Sequence, residues 1–183
     1  TFNSNLPEGS GLSSSAAIEV LTAYIIQDLL NMPIDRKHLA LFCQKVENEF
    51  IGVKCGIMDQ FASMMGKKNQ VIKLDCKTLN YEYVPFNLEG IKIVLLNTNV
   101  KHSLASSEYN TRRNECTQAV EWIKEFEPQV NSLRDVSEEM LNKYVLPKDA
   151  LVYQRCKFVV EEIQRLTDAC IDLEQGKIGR ASC

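Results

Sequence analysis

The sequence predicts an α+β fold of mixed helix and strand layers, and three observations carry that expectation. Residues 1–66 hold apolar stretches at helical spacing, residues 71–98 switch to strand-like patterns, and the chain after Ser106 returns to helices. With 183 residues, 45% of them apolar and 25% charged, the chain has the ordinary composition of a packed domain and not that of a disordered one.

Each element follows from local chemistry. Ser13 to Ser15 offer N-cap hydroxyls to a helix over Ala16 to Leu30, which Asn31 and Pro33 end; it is apolar nearly all round, so deep burial is expected. Asp35 caps a second helix, with Leu39, Phe42, Cys43, Val46 and Phe50 at helical spacing and Gly52 as the stop. VKCGIMDQFASMMG reads as a turn at Gly56 and a short helix closed by Gly66. VIKLDC and YEYVPF read as strands, and IKIVLLNT, residues 91–98, as a strand buried on both faces. Three helices follow: one from Ser106 toward Pro128, a short one near 137–144, and a long one from Asp149 to about Gly176. Pro85–Gly90 is the expected boundary between two lobes.

The bulk numbers narrow the function. A net charge of −3 with interleaved signs gives no footprint for nucleic acid or an anionic membrane. No apolar run is long enough to span a bilayer, and Thr1-Phe2-Asn3-Ser4 does not resemble a signal peptide. The seven cysteines, at 43, 55, 76, 116, 156, 170 and 183, form no C-x-x-C pair, so a reduced, cytoplasmic chain is expected. His38 and His102 stand apart from any metal-ligand spacing, and Arg112 and Arg113 read as helix surface.

The motif with chemical content is PEGSGLSSSA, residues 7–16. A glycine-rich turn entering a helix N-terminus lets backbone N–H groups and the helix dipole meet an oxyanion, while serine hydroxyls add donors to phosphate and oxygens to a cation. It is not a Walker A loop, because no G-K-[ST] follows, and Ser14 stands where the dinucleotide fingerprint G-x-G-x-x-G needs its third glycine. On these residues alone a serine-rich helix cap after a tight turn is an equal reading.

P-x-G-x-G-L-S-S-S-A resembles the phosphate-binding motif of the GHMP small-molecule kinases, and CGIMDQF at 55–61 with TNVKHSLASSEYNTRR at 98–113 resembles the galactokinases among them. The resemblance implies a two-lobed GHMP-kinase-like fold, with residues 1–86 the remainder of the N-terminal domain and 87–183 the start of the C-terminal one. It implies transfer of the ATP γ-phosphoryl to the galactose C1 hydroxyl with Mg²⁺. Pro7, Gly9, Ser10, Gly11, Leu12, Ser13, Ser14, Ser15 and Ala16 would then hold the ATP phosphates, and Ser15 with Glu47 the metal. Asp59 would meet the C1 hydroxyl as base or orienting anion, with Gly56 and Tyr109 against the sugar. From the residues alone Asp59 reads as a helix cap, Glu47 as a solvated or ion-paired carboxylate, Gly56 as a turn glycine and Tyr109 as helix packing. Two further galactokinase blocks, one bearing an arginine near the transferred phosphate, do not occur in this sequence. The expectation is therefore a central fragment, incomplete at both ends, with little turnover alone and with uncovered surfaces that invite self-association. The resemblance also leaves room for an N-acetylgalactosamine kinase or for a galactose- and ATP-binding sensor in transcriptional regulation.

Overall fold

The computed structural model describes residues 3–7, 11–86, 90, 92–96 and 107–177. The chain divides into two compact units, Thr1–Ser106 and Ser107–Cys183.

The first unit packs three helices and a hairpin. Helices α1 (Ser14–Leu29), α2 (Arg36–Val46) and α3 (Met58–Met65) contact one another, and strands β1 (Gln70–Leu74) and β2 (Tyr81–Pro85) pair antiparallel with Ile72 opposite Tyr83. Asp35 starts α2 as its sequence requires: its carboxylate accepts from the Lys37 and His38 amides at 2.9 and 3.2 Å. From Glu47 to Ile51 the helix widens into a π turn, and Gly52 ends it in the left-handed region at φ +85°. Val20, Leu39, Cys43, Ile57, Phe61 and Met64 form the core of this unit. The hairpin docks on it through Tyr81, whose ring meets Phe61 edge-on at 5.2 Å, and through Tyr83, whose hydroxyl donates to the Met65 carbonyl at 2.7 Å.

Three expectations are corrected. Helix α1 is not deeply buried: among the described residues its main packing is against α2 and α3, and Ala16 and Val20 are buried while Ile18, Leu21, Ile25, Ile26 and Leu29 are exposed. Phe42 and Phe50 do not share the buried face of α2. Leu39, Ala40 and Cys43 take it, and Phe50, on the π turn, is 85% exposed. Residues 92–96 are irregular and exposed, with Leu96 at 87%, instead of forming a strand buried on both faces. A strand forms only where a neighbour takes its amides and carbonyls, and among the described residues β1 and β2 pair only with each other. The remainder of that expected strand, residues 91, 97 and 98, lies outside the described residues.

The second unit is helical: α4 (Ser107–Lys124), a 3₁₀ turn at Leu133–Asp135, α5 (Glu138–Tyr144) and α6 (Ala150–Glu174). Ser137 and Asp149 cap α5 and α6 through their side chains, which explains the sharp starts read from the sequence. Ala119, Ile123, Leu141, Val145, Val152 and Cys156 belong to the core where these helices meet, and an Arg155–Glu115 ion pair joins α6 to α4. Leu141 is fully buried at the centre, so Leu141→Ala should destabilise this unit by about 2–5 kcal/mol in chemical denaturation followed by circular dichroism.

Candidate active site

The site begins at the N-terminus of α1. Gly11 and Ser13 both adopt left-handed backbone conformations, φ +74° and +54°. For a serine that conformation is uncommon, and it takes the Ser13 side chain out of the capping role its position suggests: Ser13 is the N-cap residue but its hydroxyl makes no cap hydrogen bond. The first amides of α1 thus receive no capping bond from this side chain. Leu12, Ser14 and Ser15 are half-buried here and Ala16 is buried, while Pro7 lies just before the loop; Gly9 and Ser10 lie outside the described residues.

Glu47 meets this loop from the first position of the π turn that continues α2. The residue continues the Leu39–Cys43 stripe by one turn, so its carboxylate falls on the buried face and is only 4% exposed. The Ser15 hydroxyl donates to its Oε1 at 3.2 Å, across 32 positions of sequence. The other oxygen, Oε2, accepts from Gln60 Nε2 at 2.6 Å and from the Cys55 thiol at 3.7 Å. Among the described residues no Lys or Arg forms an ion pair with it. Taking a carboxylate out of water without a cation costs several kcal/mol, which neutral donors only partly offset.

These residues fit a small divalent cation. Two oxygens on adjacent corners of an Mg²⁺ octahedron lie about 3.0 Å apart, close to the 3.2 Å that separates Ser15 Oγ and Glu47 Oε1. Among the described residues no group of three or more His, Cys, Asp or Glu is placed to hold a metal ion by itself. Mg²⁺ is usually held by one or two protein oxygens together with substrate phosphates.

The same carboxylate tethers the segment that bears Gly56 and Asp59. Cys55 touches both Glu47 and, at 3.5 Å, Asn48 Oδ1, while Gln44 Nε2 donates to the Cys55 carbonyl at 3.1 Å. Gly56 is exposed, and among the described residues a Cβ added there would meet nothing within 4 Å beyond its chain neighbours. Asp59 lies in the first turn of α3, half-buried. The cap position belongs to Ile57, so Asp59 is not the helix cap its sequence position suggests, and its side chain forms no hydrogen bond or ion pair to the described residues. Tyr109 stands in the first turn of α4, in the second unit, and is about half exposed.

Ser15 and Glu47 are therefore brought together, and Asp59 is linked to them through its neighbour Gln60. Gln60, Cys55 and Glu19 were not singled out from the sequence. Gln60 carried a readable signal, since it interrupts the apolar stripe of Ile57, Phe61 and Met64 with a buried amide. Glu19, one turn after Ser15, accepts from Gln60 at 3.4 Å; burial, then the nearby Glu47 charge, pushes its pKa up.

Residues 1–67 match the family of GHMP kinases N terminal domain. Over 178 residues, 97% of this chain, the sequence is 45% identical to a galactokinase of Clostridium beijerinckii, and over 183 residues it is 44% identical to one of Lactobacillus helveticus. The fold matches the crystal structure of Lactococcus lactis galactokinase complexed with galactose with a TM-score of 0.82 at 35% identity, covering 93% of this chain and 44% of that one. The chain spans about half the length of the curated relatives it matches, 46% and 47% of the two named.

Burial, then the charge and hydrogen bond of Glu47, holds the Cys55 thiol protonated, its pKa pushed up to about 11. Iodoacetamide at pH 8 should therefore alkylate exposed Cys76 well before Cys55, with Cys55 gaining rate as pH rises toward 11. Glu47→Gln should lower the Cys55 pKa and narrow the gap, read by mass spectrometry of the labelled peptides.

Proposed function

We propose that this chain, homologous to galactokinases along almost its whole length and to the GHMP kinases N terminal domain over residues 1–67, is the part of an ATP-dependent galactose kinase that holds the ATP phosphates, the metal and the acceptor hydroxyl. The observation that carries the reading is the pairing of Ser15 with the buried Glu47 at the mouth of the glycine loop. The loop from Pro7 to Ala16 supplies backbone and hydroxyl donors to the phosphates. Ser15 and Glu47 hold Mg²⁺, which when bound neutralises charge on the phosphate oxygens.

Asp59 meets the C1 hydroxyl of galactose. Its carboxylate, unpaired among the described residues, is available to accept that hydrogen bond and orient the oxygen, and the loose transition state of phosphoryl transfer asks for positioning more than for a strong base. Gly56 leaves room for the sugar to approach the backbone, and the family resemblance makes Tyr109 a further sugar contact. By the family resemblance, the N-terminal kinase domain runs to residue 86 and the C-terminal one starts at residue 87. A cytoplasmic location goes with this reading, supported by free thiols at all six described cysteines. The apolar surface left exposed on α1 and at 92–96 supports self-association of the chain on its own.

The test is galactose-dependent ADP release with Mg-ATP, run on this chain alone and on the chain joined to the flanking segments of a galactokinase relative. The flanked protein should turn over galactose in preference to glucose and N-acetylgalactosamine, and Asp59→Ala should lower its rate by about 10²–10⁴-fold. Binding of galactose and ATP without ADP formation would overturn the enzyme reading in favour of a sensor.

A further inference from the structure

We infer that Gln60 is a positioning residue for the metal-side carboxylate: its carboxamide holds Glu47 toward Ser15 and ties that carboxylate to the helical turn that bears Asp59. Gln60 has this role only if Ser15 and Glu47 hold the metal, as proposed above.

The argument starts from the cost of the residue. Gln60 is 1% exposed on the apolar face of α3, between Ile57 and Phe61 on one side and Met64 on the other. A buried carboxamide is unfavourable there unless both its ends are hydrogen-bonded, and a leucine or methionine would pack on that face without the penalty. Yet only one end is satisfied. Nε2 faces two carboxylates, Glu47 Oε2 at 2.6 Å and Glu19 Oε2 at 3.4 Å, while the buried Oε1 has no partner among the described residues. The amide cannot turn round, because Oε1 would then face two carboxylate oxygens. Packing alone does not account for a residue that leaves one polar atom unsatisfied to aim the other at acid groups.

The geometry supplies the account. Gln60 binds Oε2 of Glu47, the oxygen that Ser15 does not touch, so its bond persists when a cation takes the place of the Ser15 hydrogen bond at Oε1. Outer partners of this kind fix the orientation of a ligating carboxylate, and their loss typically weakens metal binding by 10–100-fold. Gln60 and Asp59 are consecutive in the first turn of α3, so the same bond sets the height of the acceptor-side carboxylate relative to the metal side.

The experiment reads metal affinity and not turnover. Mn²⁺ is titrated into the flanked protein with a non-hydrolysable imido analogue of ATP, and free Mn²⁺ is followed by electron paramagnetic resonance. Gln60→Met should weaken Mn²⁺ binding by about 10-fold or more, with Gln60→Asn, whose amide is drawn back by one methylene, falling between it and the wild type. Binding of the analogue without metal should stay unchanged in both, whereas a purely structural role would lower the melting temperature and leave the metal affinity where it was. If Gln60→Met fails to fold, Gln60→Asn decides. Folded Gln60 variants that bind Mn²⁺ like the wild type, while Glu47→Gln does not, would overturn the role of Gln60. A Glu47→Gln protein that binds Mn²⁺ as tightly as the wild type would instead overturn the metal reading itself, and Gln60 with it.

Discussion

A buried carboxylate with no cationic partner among the described residues is the constraint around which the first unit is arranged. Glu47 sits on the inner face where α2 becomes a π turn, and every group that touches it comes from a different segment: Ser15 from the start of α1, Cys55 from the loop before α3, and Gln60 from α3 itself. Each of these contacts offsets part of a desolvation cost of several kcal/mol. Together they draw the glycine-rich loop, a glycine with open space beside it and an aspartate unpaired among the described residues into one neighbourhood. Under the proposed function, a divalent cation arriving with its phosphates would offset what remains of that cost.

The helices of the second unit and the hairpin were legible because their signals are local. Caps at Ser137 and Asp149 and alternation in YEYVPF depend on near neighbours, and the structure puts α5, α6 and β2 within a residue or two of the expected bounds. The structure departs from the pattern chiefly where burial depends on what lies across from an element. Pattern alone marks α1 and residues 91–98 as apolar, but burial needs a partner, and the described residues cover one face of α1 and neither side of 92–96. The same limit explains Phe50: regular helical spacing cannot anticipate a π turn that swings it outward.

The site divides along the same line. The glycine-rich loop and Asp59 stand out as motifs, since glycine spacing and an acid at a helix start are readable in one dimension. The Ser15–Glu47 contact spans 32 residues and followed only from the family resemblance, while Gln60 and Cys55 required the packing of α2 on α3 to be known. An open, mostly apolar groove of about 260 Å³ between α1 and α2, lined by Ile18, Ile26, Phe42 and Val46 among others, belongs to the same uncovered face of α1.

The central claim is that Ser15 and Glu47 form the protein's share of a metal site shared with nucleotide phosphates. The most direct measurement is anomalous diffraction from crystals of the flanked protein grown with Mn²⁺ and the imido analogue of ATP. The account predicts one anomalous peak bonded at about 2.1 Å to both Ser15 Oγ and a Glu47 carboxylate oxygen, with the remaining positions filled by phosphate and water. A peak on the phosphates alone, with the Ser15–Glu47 hydrogen bond still in place beside it, would contradict it.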